Sequence, residues 1–244
     1  TVSAGNHAIA ASYVANKFKL KNKIFMYKSA NKFRVDKCKY YNSNIVFTDP
    51  LNGFNQVLEN SKKYGYFFLH PFDGPYTLQG TATLGLEITN QVDTIDNIII
   101  SVGGGGLISG VGSLIKQIYP KSNLIGVEPE GARGLSDSLL KKKPLNNVKV
   151  STIADSLAAP LHMPYSYEVC QKVIDKMVTI SDDQMLNSMN FMFENYKMML
   201  EPACVAGIAA LLGPLKNKLI NQKTIILLCG SNIDSKSWNN LVFN

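Results

Sequence analysis

Residues 8–20 (AIAASYVANKFKL) carry apolar side chains at helical spacing, which predicts a helix following the Gly5-Asn6 turn. Lys23–Tyr27 reads as a short buried strand, and a basic helix follows around Asn31–Tyr41. Next come a strand at Asn44–Thr48, a helix near Gly53–Tyr64 and a strand at Phe67–Leu69. The stretch His70-Pro71-Phe72-Asp73-Gly74-Pro75 breaks the pattern, so a domain boundary is expected there. Beyond it the pattern predicts a helix over Gly80–Gln91, a strand over Asn97–Ser101, a glycine loop and a helix to Tyr119. A strand over Asn123–Glu128 follows. Helices are expected around Ser166–Lys176, Asp182–Leu200 and Val205–Leu215, and a last strand at Thr224–Leu228. Strands alternating with helices predict an α/β fold with parallel sheets. Two lobes are expected, residues 1–72 and 73–244, with no internal repeat.

Composition narrows the class. The 244 residues are 45% hydrophobic and 18% charged, with mean hydropathy −0.01, an ordinary globular balance. The longest apolar stretch, Ile98–Ile118, contains six glycines and a lysine, so it is not a membrane span. No secretory leader pattern is seen. The four cysteines, Cys38, Cys170, Cys204 and Cys229, are scattered. They suggest neither a disulfide framework nor a zinc site, and a cytoplasmic location is expected. The net charge of +7 is almost all lysine, with Arg34 and Arg133 the only arginines. Nucleic-acid sites lean on arginine forks and stacked aromatics, so neither nucleic acid nor membrane is an expected partner.

Ser101-Val102-Gly103-Gly104-Gly105-Gly106-Leu107 lies between an apolar strand and an amphipathic helix. Four glycines let backbone N–H groups approach an anion, and the helix N-terminus adds its positive end. A phosphate cradle follows, with a bare strand-to-helix turn as the plain alternative. The spacing does not match G-x-G-x-x-G, yet Glu128 ends the next strand where an acidic residue could grip a ribose. A dinucleotide site therefore stays open on this segment alone. Ser3-Ala4-Gly5-Asn6-His7 offers a hydroxyl, an amide and backbone donors ahead of a helix, and Cys229-Gly230-Ser231-Asn232 follows the last strand.

The order S-x-G-N-H-A, P-F-D, G-G-G-G-L-I-S-G, V-E-P, I-A-D-S-L, L-E-P, C-G-S-N resembles the fold type II (tryptophan synthase β-like) pyridoxal-phosphate enzymes. Threonine/serine dehydratases and serine racemases are the most similar branch, and the resemblance runs from Thr1 to about Asp234. It implies that Gly103, Gly104, Gly105, Gly106 and Leu107 bind the phosphate of pyridoxal 5'-phosphate. It also implies that Asn6 meets the ring hydroxyl and Cys229 the ring nitrogen, while Ser3, Ala4, Gly5 and His7 hold the substrate carboxylate. Glu201 matches a glutamate beneath the cofactor, or else caps the helix that follows. The cofactor would lie between the lobes.

Three departures stand out. The family's Schiff-base lysine precedes S-x-G-N-H, so it is expected upstream of Thr1, on a chain truncated at its N-terminus. Ala4 stands where racemases carry a serine, which favours a dehydratase. The family's cation site maps onto Glu128, the Ala132 carbonyl and Gly134, where the third ligand is lost, so a divalent cation is doubtful. The implied activity is conversion of serine or threonine to a 2-oxo acid and ammonia by an intact homodimer, without a C-terminal regulatory domain. The alternatives are a catalytically dead cofactor-binding protein and a dinucleotide-binding oxidoreductase.

Overall fold

The computed structural model describes residues 1–243, and the side chains of all of these except 50 and 51. Residue 244, the end of the expected second lobe, lies outside them. The chain divides into two compact units, Thr1–Pro71 and Phe72–Asn244.

The smaller unit runs α1 (Asn6–Lys17), β1 (Ile24–Tyr27), α2 (Lys32–Tyr40), β2 (Ile45–Thr48) and α3 (Pro50–Tyr64). β1 and β2 pair in parallel, Ile24 opposite Ile45 and Tyr27 opposite Thr48. Ala8 and Ile9 of α1 pack with Ile24, Met26, Val35 and Cys38 on one face, while Phe25 packs with Val2 and Val57 on the other. Strand alternation thus splits this small core in two. The strand expected at Phe67–Leu69 does not form: the segment has no sheet partner, Phe67 is exposed, and Phe68 instead packs edge-on against Phe54.

The larger unit contains α4 (Pro75–Gln91), β3 (Asn97–Ser101), α5 (Gly106–Ile118), β4 (Asn123–Pro129), α6 (Gly134–Leu140), α7 (Pro164–Val173) and β5 (Lys176–Ile180). α8 (Asp182–Tyr196), α9 (Pro202–Leu212), β6 (Thr224–Ile226) and α10 (Ser235–Val242) complete it. The sheet order is β5-β4-β3-β6 and every pairing is parallel, as the alternating pattern predicts. All five residues of β3 are buried, as befits a parallel strand covered on both faces. Ile98 and Ile100 face a core shared with Val111 and Ile115 of α5 and Cys170 of α7. Ile99 faces the opposite core, with Met185 and Met189 of α8 and Ala206 and Ala210 of α9.

Several boundaries differ from the sequence pattern. α4 begins at Pro75, whose fixed φ suits a first helical turn. The helix expected through Lys176 ends at Val173, and Lys176–Ile180 forms the edge strand β5 instead. α8 stops where Lys197 turns left-handed at φ 57°, short of Leu200. α9 starts at Pro202 rather than Val205, and α6 and α10 have no counterpart in the periodicity reading. Trp238 of α10 donates from Nε1 to the Leu200 carbonyl at 3.0 Å, closing the end of the second core. Among the described residues no helix is long and apolar enough to cross a membrane.

Candidate functional site

In the smaller unit the first three residues act as an extra parallel rung beside β1. Phe25 N–H donates to the Thr1 carbonyl and Ser3 N–H to the Phe25 carbonyl, each at 2.9 Å. The chain then turns sharply, and Ser3 Oγ accepts from Gly5 N–H at 3.1 Å. α1 begins at Asn6 without a side-chain cap, and Ile9 is the first residue whose N–H returns to a carbonyl, that of Gly5. The N–H groups at the start of α1 therefore form an anion-receptive end. Ser3, Ala4, Gly5, Asn6 and His7, the five residues expected to face cofactor and substrate carboxylate, lie together on this turn and are half-buried. The His7 imidazole turns away from such a ligand: Nε2 lies 2.8 Å from Thr1 Oγ1, and the ring also bonds the Leu69 backbone. Desolvation is the largest cause that lowers its pKa to about 4. What His7 offers a carboxylate is its backbone N–H.

In the larger unit Gly103–Gly106 link β3 to α5. Their neighbours leave no room for side chains. A Cβ on Gly104 would stand 2.2 Å from the Phe72 ring, and one on Gly106 2.6 Å from the Phe72 carbonyl oxygen. One on Gly103 would meet the Ser156 carbonyl and Leu157 Cα, both at 3.1 Å. Gly105 has φ 90°, which an L-residue rarely adopts. Beneath the loop Ser109 Oγ donates to the Gly105 carbonyl at 2.6 Å and sits 3.1 Å from Cys170 Sγ. Thr81 Oγ1 holds the Gly106 carbonyl at 2.9 Å. Burial pushes the Cys170 thiol up to about 12, so it packs there as a neutral group. The first turn of α5, which includes Leu107, carries no acidic residue. The result is a rigid, uncharged cup of N–H groups at a helix N-terminus, suited to a phosphate.

Cys229 follows β6. It is exposed by area, yet protein atoms crowd its sulfur. Desolvation is the first cause that raises its thiol pKa, and the Glu201 carboxylate is the second. Glu201 is buried at the N-cap position of α9, and Glu201 N–H reaches the Gly230 carbonyl at 3.4 Å. Its side chain makes no capping bond, so the capping role does not hold, and the carboxylate lies beside the Cys229 turn.

Glu128 is fully buried. Its oxygens accept from Leu135 N–H at 2.7 Å, Ser136 N–H at 2.9 Å and the Ser136 hydroxyl at 2.6 Å. Burial outweighs these bonds and raises its pKa to about 7. A carboxylate engaged in this way does not reach for a ribose, which removes the support for a dinucleotide site. Ala132 is buried in a 3₁₀ turn, Gly134 opens α6, and the His162 ring lies against Gly134. Glu128, Ala132 and Gly134 do not suit a divalent cation, which needs several free oxygens. Among the described residues no three His, Cys, Asp or Glu side chains gather as a metal site.

Sequence reasoning singled out neither His162 nor Asp182. Asp182, on the first turn of α8, accepts from Thr152 Oγ1 at 2.6 Å and Ile153 N–H at 3.0 Å. It thereby holds the segment that carries Ser156 and Leu157 against Gly103. Phe72 and Asp73 stand out in the sequence only through the P-F-D motif, yet Phe72 roofs the glycine loop and Asp73 Oδ1 accepts from Ser166 N–H at 2.6 Å.

The sequence model of a family described as "Pyridoxal-phosphate dependent enzyme" matches residues 1–230. A phenylserine dehydratase of Ralstonia pickettii is 40% identical over 240 residues, covering 97% of this chain and 73% of its own. A biosynthetic L-threonine dehydratase of Halalkalibacterium halodurans is 32% identical over 238 residues, 95% of this chain and 57% of its own. The solved structure of the processed form of threonine deaminase isoform 2 from Solanum lycopersicum superposes with TM-score 0.90 at 30% identity. It covers 100% of this chain and 73% of that one.

Proposed function

The chain belongs to the pyridoxal-phosphate-dependent enzymes, and from that premise we propose that it forms most of a β-hydroxy amino acid dehydratase. The intact enzyme converts serine or threonine to a 2-oxo acid and ammonia. The single observation that carries the cofactor half of this reading is the cup at Gly103–Gly106, whose walls would be struck by any Cβ. The substrate half is supported by the names of the similar proteins, which act on phenylserine and threonine. Both are β-hydroxy amino acids, and elimination of the hydroxyl is the shared chemistry.

Pyridoxal phosphate, when bound, supplies an electron sink for the α-carbon. Gly103–Gly106 and Leu107 would hold its phosphate through backbone N–H groups, and the α5 N-terminus would add a favourable dipole. The Asn6 side chain is assigned to the ring hydroxyl. Ser3, Ala4, Gly5 and the His7 N–H hold the substrate α-carboxylate at the start of α1. Cys229 would face the ring nitrogen with a thiol whose pKa is raised by burial and by the Glu201 carboxylate. A neutral thiol would not stabilise a protonated ring nitrogen as a carboxylate would, which suits β-elimination. The amine that takes the α-proton is assigned to a lysine preceding Thr1 in the intact protein. The four unpaired cysteines fit a reducing cytoplasm, and a homodimer is the assembly proposed, to be checked by light scattering.

The test is to supply the intact protein with pyridoxal phosphate and assay 2-oxo acid from serine, threonine and phenylserine. Formation from at least one is expected. Binding of the cofactor with no 2-oxo acid from any of them overturns the dehydratase reading.

A further inference from the structure

The carboxylate of Glu128, at the end of β4, is satisfied within the protein by three donors from α6. Opposite it the chain has Gly134, where the cation site implied by the family resemblance would place an acidic side chain. The space such a side chain needs is already filled. A Cβ on Gly134 would stand 2.4 Å from His162 Nε2 and 3.0 Å from His162 Cδ2. His162 is 4% exposed, and neither of its ring nitrogens has a hydrogen-bond partner. The ring's close contact is with the first residue of α6, where it fills the space beside Gly134. The main chain that carries the ring is fixed, since His162 N–H donates to the Leu145 carbonyl at 2.7 Å. Leu145 N–H in turn reaches Ser138 Oγ on α6 at 3.2 Å, and Val148 N–H reaches the Pro160 carbonyl at 2.8 Å. The Val148 side chain closes on Gly134 from another side, 3.1 Å from the same Cβ position. Segments 145–148 and 160–162 therefore press the ring onto the first residue of α6.

We propose that the His162 imidazole takes the place of the cation site's acidic ligand at position 134, making this fold independent of metal. The inference concerns the stability of the larger unit and does not depend on the reaction proposed above. Gly134 and His162 act as a matched pair: a side chain at 134 would have to displace the imidazole from the place it now fills.

Thermal unfolding of the whole chain, with chelator and then with millimolar Mg²⁺, Ca²⁺, Mn²⁺ or Co²⁺, tests this. The expected midpoints agree within about 1 °C, since an ion with no site gives no linkage. A rise of about 3 °C or more with any of these ions overturns the proposal. A rise with Co²⁺ alone would make His162 a ligand rather than a replacement. The double variant Gly134→Asp with His162→Ala is expected to gain a Ca²⁺- or Mg²⁺-dependent rise of about 3 °C or more. A double variant that folds and stays indifferent to both ions overturns the claim that the ring takes the acidic ligand's place. If that variant does not fold, the wild-type titration decides alone. His162→Ala by itself is expected to lower the midpoint by about 5 °C, with no recovery on adding cations.

Discussion

The two segments proposed to face the ligand are built in opposite ways. The glycine loop of the larger unit is moulded by residues distant in sequence: Phe72, Ser156, Leu157 and Cys170 each touch it. The turn at Ser3–His7 in the smaller unit is held by individual hydrogen bonds: the rung beside Phe25 of β1, the Ser3–Gly5 bond, the Thr1–His7 contact and the His7 ring on the Leu69 backbone. Close-packed surroundings do not yield to added volume, whereas a hydrogen-bonded turn loses one bond at a time. Rigidity is therefore expected in the segment proposed to hold the phosphate. The turn proposed to hold the carboxylate is expected to be the softer of the two.

That contrast can be broken most forcefully at Gly106. Gly106→Ala drives a Cβ into the Phe72 backbone, and a loss of about 3 kcal/mol in urea-unfolding stability is expected, with cofactor affinity falling alongside. A variant as stable as wild type would show that the loop is not moulded. Acid comes next. His7 and His162 have pKa values lowered to about 4 by desolvation, so each takes up its proton on unfolding as pH falls from about 6.5 to 4. Stability from these groups is complete above that window and is lost through it. Glu128 works the other way: with its pKa raised to about 7, the folded form binds the extra proton between about 4.5 and 7. In the larger unit the two effects oppose each other, while the smaller unit has only the loss. Lowering pH from 7 to 4.5 is thus expected to cost the smaller unit about 1–2 kcal/mol more than the larger. Urea unfolding read by Trp238 for the larger unit, and by pulse proteolysis within α1 for the smaller, measures the difference. Equal losses would remove this distinction between them.

A double-mutant cycle tests the moulding more finely. Gly104→Ala should cost about 2 kcal/mol in the presence of the Phe72 ring, and about half as much once Phe72→Ala has vacated the space. Strict additivity would mean that the ring does not bear on the loop. The smallest effect is expected at Ser3→Ala, which removes the hydroxyl that accepts from Gly5 N–H. A stability loss of about 1 kcal/mol with a raised KM for the amino acid, and kcat little altered, would mark the turn as a carboxylate holder.

The sequence made the centre of this molecule readable because it is locally redundant. The Ile98–Ile100 run, the four glycines and the amphipathic stretch of α5 each predict the next element, and the structure follows them. β5 was hidden because Lys176–Ile180 is short and follows α7 after only two residues, so its apolar positions merge with the helical pattern. The 67–69 segment has strand-forming residues but no neighbouring strand, and pairing is a tertiary fact that propensity does not carry. The same holds within the site. Ser3–His7 and Gly103–Gly106 are contiguous and legible. The Phe72 roof lies 32 positions before Gly104, and the grip of Asp182 on Thr152 spans 30 residues. Neither distance leaves a mark on spacing. His162 looked like an ordinary loop residue, because nothing local announces that an imidazole will stand over Gly134.

β3 has a consequence for how the larger unit comes apart. Ile98 and Ile100 belong to one core and Ile99 to the other, so a single strand is a member of both. Opening either core strips water-avoiding cover from the strand they share, so loss of one is expected to weaken the other. A nick or deletion that removes α9 would be felt on the far face of the sheet, at α5, even though no residue there had changed.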